Sequence, residues 1–511
     1  MNKAFKAIWS DVRQSFVTTS EIQPSHGKRS KASVSLSVAT VLLATSGLVS
    51  AAYVETGTLG DKASWETAEY NYNWGLGAMN ASSAYALGFY GQNTTTGVMD
   101  SGAWLGNPDL DTPRITATHV TGVYGSSGNR YPQSIYATIQ KGVVPTAAEG
   151  QPFTEGEEFD VKGDYTLGLN DAHGTQVTGV IGAERNGEYG HGVAFKANVV
   201  VGNTGATDNN NYGPFQDYNY YFKGYKALAD AVNAGNGEYR GGMVNNSYGT
   251  NTKIYSSGGH RLTPDEMSEL LAGSGNYDRA SAAYAVTFSG DYSFLGLNDV
   301  PGADQYSTNP SAFEWEYMYF KLKYGDKPSF LDGAYDAVKG TNVILSWAAG
   351  NQDRGTPYLK GLYPYFHPEA EKNWLNAVGV MQTRGDNDQY MQATYCKAGL
   401  AKWWSMSGPT AYPGIGTTYV TTDLENGRLT TTGFNGTSAS DPQISGAFTV
   451  LQSRYPSMTA IQVKDVMYTT ASHIGANGQP FTNWTAAEGT PDVIYGWGMP
   501  DLEKGMYGPG Q

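Results

Sequence analysis

The chain has 511 residues, of which 40% are hydrophobic and 16% charged, enough apolar material for one large core or two ordinary ones and not the composition of a disordered chain. Its formal net charge of −14, with no Lys/Arg cluster interleaved with aromatics, argues against a nucleic-acid partner. A lone cysteine, Cys396, excludes an intramolecular disulfide. It lies in ATYCKAGLAKWW with no histidine near it and no glycine-rich turn, so it reads as a part-buried thiol and not as a nucleophile. The 37 Tyr and 65 Gly suggest a hydrogen-bonding surface with many turns.

In chain order, Ala32 to Val54 carries no charged side chain, and LSVATVLLATSGLVSAA reads as a hydrophobic stretch followed by small residues suited to cleavage after Ala51 or Ala52. The alternative is an uncleaved membrane anchor, but the small residues suit a peptidase better. No later segment approaches a membrane span. The preceding stretch, MNKAFKAIWSDVRQSFVTTSEIQPSHGKRS, is too long and too mixed in charge for an ordinary basic leader. It resembles the extended signal peptide of type V secretion in Gram-negative bacteria. An extended signal over 1–51 and a short linker over 52–67 are therefore expected.

From Ala68 onward, apolar runs alternate with helical patterns, the mark of an α/β fold whose mostly parallel sheet is joined by crossover helices. AMNASSAYALGFYG has helical spacing and TTTGVMDSG reads as a strand ending at Asp100. VTGVIGA continues a helix from His173, ANVVVGNTG is a strand, and FKGYKALADAVNAG is a helix. GGMVNNSYG is a strand entering a turn, LDGAYDAVKG a helix, and TNVILSWAAGN a buried strand. Polar side chains thus recur just after strand C-termini, where open α/β sheets bind ligands. Between these elements, GVYGSSGNRYPQSIY and DYSFLGLNDVPGADQYSTNPS read as surface insertions that shape a cleft rim.

Three Gly-flanked motifs, VMDSG, HGTQVTG and GFNGTSASDPQISGAF, place Asp100, His173 and Ser438 in an order used by one class of hydrolytic triad. A serine hydroxyl is a weak nucleophile at neutral pH. It needs an imidazole to take its proton, and the imidazole needs a carboxylate to fix its tautomer and stabilise its charge. Ser438 precedes a helix-like run, which puts its N–H at a helix N-terminus, suited to a developing oxyanion. Pro442 removes the N–H that would bond the Ser438 carbonyl, an expected loosening of that first turn. Asn351, in SWAAGN after a buried strand, is the expected side-chain oxyanion donor.

These motifs, with NNSYG, AAGN and the ending YGWGMPDLEKGMYGP, occur in the order seen in subtilisin-like serine peptidases, specifically the passenger domains of autotransporters. The resemblance covers 68–509 and implies a three-layer α/β fold with helices on both faces of the sheet. It also implies that Ser247, Tyr248 and Gly249 pair with an extended polypeptide substrate, and that Ala348, Ala349 and Gly350 form a facing wall. Ala439, Ser440 and Gln443 depart from the family's usual residues. GTSAS followed by proline is also similar to sedolisins, although HGT and the AAGN asparagine belong to the subtilisin scheme.

No cofactor or metal site is expected. GDNDQ near Asp386 lacks the other ligands of a calcium loop. His119, His260, His367 and His473 are expected to face solvent, and His191 to be a turn residue. The implied function is a secreted or surface serine endopeptidase forming an acyl-enzyme at Ser438; the alternative is a truncated, inactive pseudopeptidase or adhesin-like module. No translocator barrel or folding prodomain is expected within the 511 residues, so the expectation is either a truncated product or export machinery and a translocator encoded elsewhere.

Overall fold

The computed structural model describes residues 5–10, 15–20, 53–129, 152–165, 172–204, 217–248, 327–351, 355–382, 390–392, 395–410, 415–418, 430–475 and 478–509. The chain forms two units, Met1–Ala52 and Tyr53–Gln511. In the first, Phe5–Ser10 and Ser15–Ser20 pair antiparallel. The apolar stretch expected to be cleaved, Gly249, the second insertion, Asp386, His26 and His260 lie outside the described residues.

The larger unit is built on an eight-stranded sheet. Its strands are numbered here in chain order: β1 (Thr95–Asp100), β2 (Ile115–Ala117), β3 (Asn198–Asn203), β4 (Gly242–Asn246), β5 (Val343–Ala348), β6 (Trp374–Gln382), β7 (Tyr390–Gln392) and β8 (Ser405–Pro409). From one edge the order is β2, β3, β1, β4, β5, β6, and both β7 and β8 pair with β6. Every pairing is parallel except β6 with β7.

Two-residue alternation divides the strands between two cores. Val98, Val199, Val201, Met243, Ile344, Leu375 and Ala377 face one layer; Met99, Val244, Leu345, Trp347 and Trp374 face the other. The first layer holds α1 (His173–Gly182), α5 (Thr437–Arg454) and α6 (Ala460–Thr469); the second holds α2 (Tyr218–Asn236), α3 (Phe330–Val338) and α4 (Leu359–Phe366). Helix starts follow from local capping. The Asp217 carboxylate accepts the Tyr220 N–H at 3.1 Å, and Ser329 with Asp332 closes a capping box at α3. Because β3 lies on one side of β1 and β4 on the other, the chain changes direction across β1, which opens a crevice at the C-terminal ends of β1 and β4.

The strands and helices expected from Thr95 to Ala348 all form, with three differences around them. The region of the first insertion contains a paired ribbon: His119–Val123 pairs antiparallel with Glu158–Lys162, and Tyr124 stacks on Phe153 with ring centroids 4.2 Å apart. Its apolar side packs on α2 through Tyr220. Among the described residues tyrosine is also a core residue; Tyr70, Tyr85, Tyr221, Tyr225 and Tyr248 are among the largest fully buried side chains. Finally, the segment read as a linker packs into the larger unit: Trp65 is buried against Tyr85 and Tyr90, and Glu55 pairs with Arg185.

Candidate active site

β1 delivers Asp100 to the crevice. It is fully buried, and Oδ1 accepts the Ser101 N–H at 2.7 Å. Ser101 then turns the chain and takes the Gly174 N–H on its Oγ at 2.9 Å, fixing the start of α1 against the end of β1. The approach is close enough that a Cβ on Gly174 would lie 2.2 Å from the Gly102 carbonyl oxygen, and Gly102 itself has φ +85°. The first residue of α1 is His173, and its Nδ1 stands 2.8 Å from Asp100 Oδ1. Phe434 meets the imidazole edge-on at 5.6 Å.

Ser438 is in the first turn of α5. Gly436 precedes that helix with φ 86°, where a Cβ would come within 2.9 Å of Asn351 Nδ2, so both the backbone conformation and the space call for glycine. The helix continues through Pro442, and Ser440 N–H reaches back to the Gly436 carbonyl at 3.4 Å, so the expected loosening leaves it unbroken. Residues Thr437 to Gln452 are all buried, which makes α5 the central helix of its layer and gives the Ser438 backbone a rigid mount. The Ser438 hydroxyl donates to the Ser247 carbonyl at 2.6 Å, bringing the end of β4 to the same point.

Asn351 follows β5 on the AAGN turn. Its Oδ1 accepts both the backbone N–H and the hydroxyl of Thr437, each at 2.9 Å, and the Gly350 N–H donates to Thr437 Oγ1 at 3.0 Å. Thr437 thereby holds the oxygen end of the amide and leaves Nδ2 for the cleft. That cleft, of about 290 Å³, is lined by His173, Asn351 and Ser438 together with Gln176, Phe434 and Asn435. Of the expected substrate-contacting residues, Ser247, Tyr248, Ala348, Ala349 and Gly350 are buried at the ends of β4 and β5. Cys396 is fully buried behind this turn, packed with Ala349 and Tyr358, and its N–H donates to the Gly350 carbonyl at 3.0 Å.

A family model for the subtilase family matches residues 91–498, and one for the extended signal peptide of the type V secretion system matches residues 1–50. The chain belongs to the subtilase family. Its larger unit holds a subtilisin-like serine protease domain behind a type V signal, which marks the protein for export to the cell surface or the medium. It is 25% identical over 478 residues to an extracellular serine protease of Serratia marcescens, a match covering 90% of this chain and 36% of that protein. It is 32% identical over 175 residues to serotype-specific antigen 1 of Mannheimia haemolytica, covering 34% of this chain and 17% of the antigen. A third similarity, 24% over 183 residues, is to the autotransporter lipoprotein NalP of Neisseria meningitidis serogroup B, of which 15% is covered. The chain thus spans little more than a third, or less, of the length of these relatives.

Sequence reading missed three features of this subtilase domain. Thr437 was passed over beside its more obvious neighbour Ser438. His191 is not a simple turn residue: it is 2% exposed, donates from Nδ1 to the Gly192 carbonyl at 2.8 Å and accepts from Arg185 Nη1 at 3.0 Å. Burial, and then the Arg185 charge, push its pKa down to about 3. Asp441 is buried at the root of the site and was read only as part of the serine motif. The available signal was that it is the sole charged residue in the otherwise neutral run from Thr437 to Ser453. Among the described residues, no group of three or more His, Cys, Asp or Glu side chains could hold a metal, and no helix is long and apolar enough to cross a membrane.

Proposed function

We propose that the chain is a secreted or surface serine endopeptidase that forms an acyl-enzyme at Ser438 and acts on extended polypeptides. The observation that carries this reading is the 2.8 Å contact of His173 Nδ1 with the buried Asp100 carboxylate, beside a cleft that Ser438 and Asn351 also line. Asp100 holds the proton on Nδ1, so that Nε2 is the end of the ring that accepts the Ser438 proton. As Oγ attacks a peptide carbonyl, the oxygen's developing charge is met by Asn351 Nδ2 and by the Ser438 N–H, which the first turn of a helix leaves without an intrahelical acceptor. The imidazolium then protonates the leaving amine, and water repeats the sequence to release the acid.

The Ser438–Ser247 hydrogen bond adds a condition to the first step. In the free enzyme the hydroxyl proton points to a main-chain carbonyl, and a rotation of the serine side chain must redirect it to His173. A substrate strand lying along 247–249 would offer a backbone N–H to that same carbonyl and release the hydroxyl. We assign the peptidase domain to 53–509, with the segment from Tyr53 included because Glu55 and Trp65 pack into it. Labelling the exported chain with a fluorophosphonate and locating the adduct by mass spectrometry tests the assignment. An adduct on Ser438 is expected. An adduct elsewhere, or none on folded protein, would sink it, and a Ser438→Ala chain that still binds surfaces without cleaving would reveal a separate binding activity.

A further inference from the structure

The carboxylate of Asp441 is fully buried one turn beyond Ser438 and has no role in the reaction just described. Three donors converge on it from two strands. Oδ2 accepts the Asn246 N–H at 3.2 Å and faces the Ser247 hydroxyl at 3.5 Å; Oδ1 accepts the Ser346 hydroxyl. Asn245, oriented so that both ends of its amide are satisfied, donates Nδ2 to Asp441 Oδ2 at 3.2 Å and takes the Ser247 hydroxyl on its oxygen at 2.8 Å. Removing a carboxylate from water is costly unless charge-assisted hydrogen bonds offset it. An apolar residue would fill a core helix at no such cost. What the carboxylate adds is geometry: α5, the end of β4 and β5 are drawn to one point.

We propose that Asp441 is a positioning residue of the peptidase, tying the turn that carries Ser438 to the root of the Ser247–Tyr248 wall and so setting the Ser247 carbonyl against the Ser438 hydroxyl. The inference rests on the peptidase assignment above. The surroundings give the brace a charge dependence. Burial raises the Asp441 pKa to about 7; the hydrogen bonds from Ser346 and Asn246 oppose the rise, and Asp100 on β1 adds to it. On α2 the Tyr225 phenol also feels its charge, and β4 and β5 present amides and hydroxyls. Above that range the ionised carboxylate accepts from all its donors. Below it, the added proton must displace one of them.

The test is the pH dependence of Ser438 labelling by a fluorophosphonate, and of kcat/KM on an extended peptide, using the full exported chain. Two protonations, of His173 and of Asp441, then inactivate, so the logarithm of the rate falls on the acid side with a slope approaching about two. Asp441→Asn turns an NH₂ group toward the donors and no longer titrates. It is expected to lower kcat/KM at least about 100-fold above the acid limb, as protonation of Asp441 would, and to reduce the slope to about one. A fold defect alone would scale the amplitude of labelling and leave the slope unchanged. A wild-type acid limb of slope one overturns the role of Asp441 whether or not the variant folds, as does a folded Asp441→Asn enzyme that keeps slope two. Absence of any Ser438 adduct at every pH overturns the peptidase assignment itself.

Discussion

His173 and His191 lie on either side of one helix and its exit loop; both are buried and both engage a partner through Nδ1. Their surroundings give them opposite roles. His173 meets the Asp100 carboxylate and opens on a cleft, so a proton arriving at Nε2 would be stabilised by the charge behind it. His191 meets a neutral carbonyl on one side and the Arg185 guanidinium on the other, wrapped by Tyr85, Tyr70 and Phe195, and is held neutral. Arg185 is in turn fixed by Glu55 at 3.0 Å and lies over the Trp65 ring at 5.4 Å. An imidazole is thus open to a proton or held neutral according to what faces its two nitrogens, and the two regions differ in the sign of the neighbouring charge and in access to a cleft.

The proposed catalytic side of that contrast is broken most completely at Ser438. Ser438→Ala should lower kcat on a peptide substrate by about 10⁶, the size of the loss in subtilisin, with the protein's melting temperature unchanged. Asp100→Asn makes the His173 environment resemble that of His191 by putting a neutral partner at Nδ1. It should cost about 10⁴ in kcat, as the corresponding change does in trypsin, while a fluorophosphonate still labels Ser438 slowly. A loss under tenfold would mean that the carboxylate does not orient the base. Asn351→Ala removes one oxyanion donor and should cost about 10²–10³ in kcat with little change in KM. Because Asn351 is anchored by Thr437, Thr437→Val should reproduce part of that loss; normal turnover in that variant would show that the amide keeps its orientation without the hydroxyl.

Much of this was legible in the sequence because strand ends and Gly-flanked turns are local signals. VMDSG, HGT and SWAAGN announce where a strand stops or a helix begins, and the structure puts Asp100, His173 and Asn351 at those places. What the sequence did not show depends on contacts between distant segments. Arg185 finds Glu55 130 residues away, and Asp441 meets Ser346 and Asn246 on two strands far upstream. The ribbon of His119–Val123 and Glu158–Lys162 was hidden because its alternation is short and its partner strand lies beyond a long interval. A buried charge is likewise invisible until its partners are known, because in sequence it looks like the solvated surface residue that most charges are.

The structural side of the contrast predicts a difference in stability. In the folded protein His191 has a pKa near 3, against an ordinary histidine value of about 6.5 in the unfolded chain. Between those values the unfolded state binds a proton that the folded state refuses, so His191 makes stability fall as pH drops from about 6.5 toward 3, by a few kcal/mol at most. His191→Gln removes this titration and keeps a polar side chain beside Arg185. Urea unfolding at a series of pH values should find the variant less stable than wild type by about 1–3 kcal/mol above pH 7, from altered packing and hydrogen bonding, with the gap narrowing or reversing below about pH 5. Taking the difference between the two proteins cancels the carboxylates that also titrate in this range. Parallel profiles would mean that His191 binds its proton equally well folded and unfolded. The guanidinium and the burial around it would then not govern its charge, and the distinction from His173 would have to come from cleft access alone.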